Sequence, residues 1–97
     1  MKKPAPKLQV FVLISQKTGR YFFGQTFDIR KTLFAFNMGN RDFAQLHSPV
    51  EVLATKEVED RQEGTRIETE LRKKKNEDEI LLYLFYNNFV IHYDKKK

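Results

Sequence analysis

Residues 20–37, RYFFGQTFDIRKTLFAFN, decide how this chain is read. Tyr21, Phe22 and Phe23 are strand-favouring aromatics, and Gly24 at the strand's end predicts a close backbone approach or a bulge. Thr26 or Asp28 is placed to cap a second element, in which Ile29, Leu33 and Phe36 recur at spacings of four and three. That spacing is one face of a short helix. The stretch is therefore a strand passing through a glycine into a helix.

Working upstream, LQVFVLIS at 8–15 is an almost unbroken apolar run, as expected of a strand covered on both faces. QKTGR turns the chain at Gly19, so the two strands form a hairpin. Downstream, NMGN at 37–40 ends the helix with C-terminal Gly and Asn chemistry, and 41–48 reads as loop or a short turn. After Pro49, VEVLATKEV alternates as a third strand. Asp60 with Glu63 forms a capping box for a second helix running from 61 to about 76, with Gly64, Ile67 and Leu71 inward. Glu68–Arg72 and Glu70–Lys74 are i,i+4 pairs on its wetter side. In EILLYLFYNNFVIHYD, Asn87-Asn88 tolerates the positive φ of a tight turn, which predicts a β-hairpin over 79–93. A single long C-terminal helix is disfavoured there by the Val, Ile, Tyr and Phe content. The expected fold is a small α+β domain: a mostly antiparallel sheet with two flanking helices in the order β-β-α-β-α, plus the C-terminal hairpin.

Ninety-seven residues make one domain, with a basic leader at 1–7, a folded body at 8–93 and a basic tail at 94–97. The absence of cysteine excludes disulfides and thiolate metal sites. No apolar run approaches the roughly 20 residues of a membrane span, so a soluble, cytoplasmic protein without membrane contact is expected. The net charge of +5 is unevenly placed. Residues 8–93 hold twelve basic and twelve acidic side chains, leaving the basicity to the ends and to the cluster Arg72, Lys73, Lys74 and Lys75. Lysine ends attract phosphate non-specifically and serve equally as solubility tails.

Two stretches, QVFVLISQKTGRYFFGQTFDIRKTL at 9–33 and EVLATKEVEDRQEGTRIETELRKK at 51–74, together resemble the GIY-YIG nuclease superfamily. The likeness runs from about Val10 to Lys75, with the predicted hairpin outside it. The resemblance implies metal-dependent phosphodiester cleavage, in which tyrosine helps to activate water, a glutamate holds a divalent ion and an arginine steadies the phosphate. On this sequence the first motif tyrosine falls on Phe11, the second on Phe22, the helix arginine on Thr32 and a histidine of many members on Phe36. Glu68 fills the glutamate position, and Gly24, Gln25 and Thr26 also match the pattern. General-base and electrostatic assistance are worth about 10²–10⁴ and about 10²–10³ in rate. Losing both implies a fall of roughly 10⁴–10⁷.

Phenylalanine in place of tyrosine keeps the ring and deletes the reactive hydroxyl. The reading is a catalytically degenerate domain that acts by binding, with nucleic acid slightly favoured and a protein partner as the alternative. Arg30, Lys31 and the Arg72–Lys75 cluster are the candidate nucleic-acid contacts. A weakly active enzyme would instead need Mg²⁺ on Glu68, a poor site for one carboxylate alone. It would also need Tyr21 turned to the active face by a bulge. Arg30 and Lys31 do not replace the arginine, because on a helix they point about 200° and about 100° away from position 32. His47 and His92 lack neighbours at ligand spacing. The bland readings are core packing for Phe11 and Phe23, a solvated ion pair for Glu68, and a basic helix end for residues 72–75. The C-terminal hairpin would add a sheet edge, hence a homodimer surface.

Overall fold

The β1 strand, Gln9–Ser15, is apolar on both faces because both are covered. Val10 and Val12 project to one side and Phe11 and Leu13 to the other, all fully or nearly fully buried. In the computed structural model, which describes residues 7–92, β1 lies inside a four-stranded sheet with β2 (Tyr21–Thr26), β3 (Val50–Glu57) and β4 (Val90–Ile91). The order is β2-β1-β3-β4, and every neighbouring pair is antiparallel. The α+β class and the N-terminal hairpin are as the sequence predicts. The expected leader at 1–7 and tail at 94–97 fall, except for Lys7, outside the described residues.

Helices cover both faces. On the Phe11 and Leu13 side lie α1 (Ile29–Phe34), a π-helical turn (Ala35–Gly39) and α2 (Arg41–His47), which bring Ile29, Leu33, Phe36 and Phe43 onto the sheet. Asp28 caps α1, its Oδ1 accepting from the backbone N–H groups of Arg30 and Lys31. On the Val10 and Val12 side lie α3 (Arg61–Arg72) and α4 (Glu77–Tyr86), which bury Ile67, Leu71, Ile80 and Leu84 against Ala54 and Val58. The expected capping box is present: Asp60 accepts from the Glu63 N–H, and Glu63 reaches back to the N–H of Glu59.

Four expectations are corrected. The predicted hairpin over 79–93 is a helix followed by a two-residue strand. Asn76 caps α4 by accepting from the Glu79 N–H, and Glu77, Asp78 and Glu79 sit at the positive end of its dipole. Asn88 does take a positive φ of 63°, but to end a helix: Phe89 N–H bonds the Leu84 carbonyl and Asn88 N–H that of Phe85. Those two bonds and the contact between the Phe89 and Tyr83 rings make a Schellman motif. Burial of Ile80 and Leu84 overrides the β preference of their neighbours. Val90 and Ile91 keep one part of the expectation by pairing with Thr55 and Ala54.

The segment 41–48, read as loop or a short turn, is mostly the helix α2, capped by Asn40 through the Phe43 N–H. Asn37, expected to help end α1, instead clamps the chain entering β3: its Oδ1 accepts from the Val50 N–H and the Ser48 hydroxyl. Finally, α3 stops at Arg72, short of 76, so Glu70 pairs with Lys73 at 3.4 Å and not with Lys74.

Gly24 is the close approach that the sequence anticipates, without a bulge. It pairs directly with Phe11, and a Cβ there would stand 2.5 Å from Phe11 Cζ. Since that ring is buried and hemmed in, Gly24→Ala is expected to destabilise the domain by about 1–3 kcal/mol. Chemical denaturation reads this directly, and an unchanged midpoint would show that the ring yields.

Candidate functional site

Among the described residues strand β2 is an edge of the sheet, with β1 as its one neighbour. The bond from Ser15 N–H to the Arg20 carbonyl sets the alternation of the β1–β2 ladder. Residues 22, 24 and 26 therefore bond across to β1, and the backbone groups of Phe23 and Gln25 point to the open side. Arg72, in the last turn of α3, reaches over that edge and donates from Nη2 to the Phe23 carbonyl at 3.5 Å.

A cleft of about 630 Å³ runs along the same edge. One wall is aromatic: Tyr21, Phe22 and Phe23 from β2, and Phe36 from the π-helical turn. The other comes from the junction of α3 and α4, with Leu71, Arg72, Lys74, Lys75, Asn76, Glu77 and Ile80. Three cations thus line the cleft together with four aromatic residues, and the one acidic lining residue, Glu77, opens α4. The basic run exists here because α3 ends in it, where cations offset the negative end of the helix dipole. The Lys74 ammonium stands 4.9 Å from the Tyr83 ring centroid. Burial, then the nearby Glu70 carboxylate, pushes the Tyr83 hydroxyl pKa above its ordinary value.

The ring positions suggested by the resemblance come together on the α1 face. Phe36 lies 6.1 Å from Phe11 and 6.0 Å from Phe22, centroid to centroid. Phe43 and His47 of α2 complete the cluster, at 5.0 and 5.2 Å from Phe22. Phe11 is core, whereas Phe22 and Phe36 are half-buried and reach the cleft. Thr32 turns away to donate to the Thr26 hydroxyl at 2.7 Å. Sequence reasoning missed Phe43 and His47 because it read 41–48 as loop or a short turn. The Asn40 cap ahead of Phe43, Leu46 and His47 was the signal that could have found them.

Glu68 does not join this cluster. It lies on the other face of the sheet, where Gln25 projects from β2. Gln25 Nε2 donates to Glu68 Oε2 at 2.7 Å and to Thr65 Oγ1 at 3.2 Å. Arg72 Nη2 donates to Glu68 Oε1 at 3.0 Å, the ion pair expected from the i,i+4 spacing. Gly64 makes this possible: a Cβ there would overlap the Gln25 amide, whose Oε1 is buried against the glycine without a partner. Both carboxylate oxygens of Glu68 are thus engaged by donors, and no cluster of three His, Asp or Glu side chains exists among the described residues. This donor set does not fit a Mg²⁺ ion.

The remaining candidates divide cleanly. The β1–β2 register runs without interruption from Gln9–Thr26 to Ile14–Tyr21, so no bulge turns Tyr21 toward Phe22. Tyr21 packs instead with the α3–α4 core on the opposite face. Among the described residues the sheet's one irregularity is between Val12 and Leu13, against β3. Arg30 and Lys31 are exposed on α1, away from the cleft, and Lys73 is held by Glu70. Among the described residues no helix is long and apolar enough to cross a membrane. Comparison of the chain with protein-family models, with curated proteins and with solved structures finds no match.

Proposed function

We propose that this chain is a GIY-YIG-like domain that binds nucleic acid along the β2 edge without cutting it. The observation that carries the reading is the cleft itself, where Arg72, Lys74 and Lys75 face Tyr21, Phe22, Phe23 and Phe36. Cations beside half-buried aromatic rings combine the two elements of single-strand recognition: ammonium and guanidinium groups neutralise phosphates, and aromatic rings stack bases for about 1–3 kcal/mol each. Support for the absence of cleavage is chemical. Phe11 and Phe22 carry no hydroxyl, Thr32 is spent on Thr26, and Glu68 is spent on Gln25 and Arg72.

Fluorescence anisotropy of labelled single-stranded, duplex and branched DNA with Mg²⁺, with each sample then run on a denaturing gel, tests this reading. Binding with intact DNA is expected, and three phosphate contacts predict a slope of about −2 for log affinity against log salt on a single strand. Glu68→Ala is expected to keep or strengthen binding, because it releases Arg72. Cleavage that disappears in Glu68→Ala would make the protein an enzyme and overturn the proposal. Absence of any binding would overturn it in favour of a protein ligand for the cleft.

A further inference from the structure

The second edge of the sheet is built differently from the first. Among the described residues strand β4 pairs with β3 on one side only, and His92 N–H bonds the Leu53 carbonyl. By the antiparallel alternation, residues 90 and 92 face β3, and the N–H and C=O of Ile91 point outward. Natural sheets blunt such edges with charge, proline or a bulge. The β2 edge has Arg72 across it and lysines beside it, whereas residues 87–92 contain no charged side chain and no proline.

Apolar surface continues from this edge onto α4. Burial of Ile80 and Leu84 fixes the inward face, and the outward one carries Leu82, Phe85 and Tyr86. Phe85 and Tyr86 are each 74 % exposed, and Val90 and Ile91 are more than half exposed. Ile91, across from Ala54, projects to the α4 face, whereas Val90, across from Thr55, projects to the Phe11 face. The four side chains on the α4 side, Leu82, Phe85, Tyr86 and Ile91, present roughly 600 Å² against the ~800 Å² that each partner contributes to a standard interface. One scattered leucine would need no explanation, but a charge-free stripe joined to an open strand does.

We propose that this surface pairs with a second copy of the chain about a two-fold axis. Antiparallel β4 strands meet at Ile91, whose outward N–H and C=O bond their symmetry equivalents, and the α4 stripes close over the join. A single residue with both groups free is what a two-fold axis through a hydrogen-bonded pair requires, and no foreign strand is needed. The sheet then runs through eight strands, leaving each β2 cleft at an outer end.

Sedimentation equilibrium of the full chain, from micromolar to near-millimolar concentration, tests the pairing. The expected result is a reversible dimer of twice the 11.6 kDa chain mass. Ile91→Pro deletes the outward donor and one apolar side chain of the surface but leaves the β3 ladder, which residues 90 and 92 hold, and edge strands tolerate proline. Both it and Phe85→Glu are expected to sediment as monomers with unchanged far-ultraviolet circular dichroism. Should Ile91→Pro fail to fold, Phe85→Glu decides alone. A wild-type monomer throughout the range, or a dimer that survives Phe85→Glu, overturns the proposal.

Discussion

Leu84→Ala is expected to lower stability by about 2–5 kcal/mol, a large part of the roughly 5–15 kcal/mol available to a domain. Leu84 is fully buried, on the inward face of α4, among Val10, Val12, Ile80 and Phe89. Truncation there loses the transfer energy of the side chain and leaves a cavity between helix and sheet that neither can collapse into. The same experiment at neighbouring positions reads the period of the segment. In a helix, Ile80 shares the inward face with Leu84 and Leu82 points outward; in a strand, Leu82 would share it. Urea denaturation under monomeric conditions should therefore give a large loss for Ile80→Ala and one within about 1 kcal/mol for Leu82→Ala. Equal losses at 82 and 84 would restore the hairpin.

The second large effect concerns binding. Replacing Arg72, Lys74 and Lys75 together by glutamine is expected to weaken single-stranded DNA binding on the order of 100-fold at low salt. The salt slope should shrink by about 2, because three phosphate contacts are removed. Glutamine keeps the length of the side chains and avoids placing new acidic groups beside Glu68 and Glu77. Arg30→Gln with Lys31→Gln serves as the comparison. Those two side chains lie on α1 away from the cleft and should matter by no more than a few-fold, through the general field alone. Equal losses from the two variants, measured by anisotropy, would mean that charge is sensed without a site.

Much of the fold was legible because local signals and burial agree in it. The two-faced apolar run of β1, the Ile29–Leu33–Phe36 stripe and the Asp60–Glu63 box each specify one answer. The C-terminal third failed for a physical reason. Asn88 at positive φ suits a tight hairpin turn and a helix C-cap alike, and apolar residues at 80–86 suit a buried strand as well as a helix lying on a sheet. The deciding signal was Asn76 with Glu79, read as the end of one helix when it begins the next. The site was legible only in part. Arg72, Lys74 and Lys75 are clustered in sequence and remain so in space. The Gln25–Glu68 bond spans strand and helix and rests on the space left by Gly64, which no local pattern announces.

The proposed function places nucleic acid in the cleft between β2 and the α3–α4 junction. Backbone amide chemical shifts of the ¹⁵N-labelled chain, recorded while a short single-stranded oligonucleotide is added, test it residue by residue. Shifts should concentrate at Tyr21–Gln25 and Leu71–Glu77, with Phe36 moving and Arg30 and Lys31 near their starting positions. Shifts confined to other surfaces, or none at saturating oligonucleotide, would contradict it.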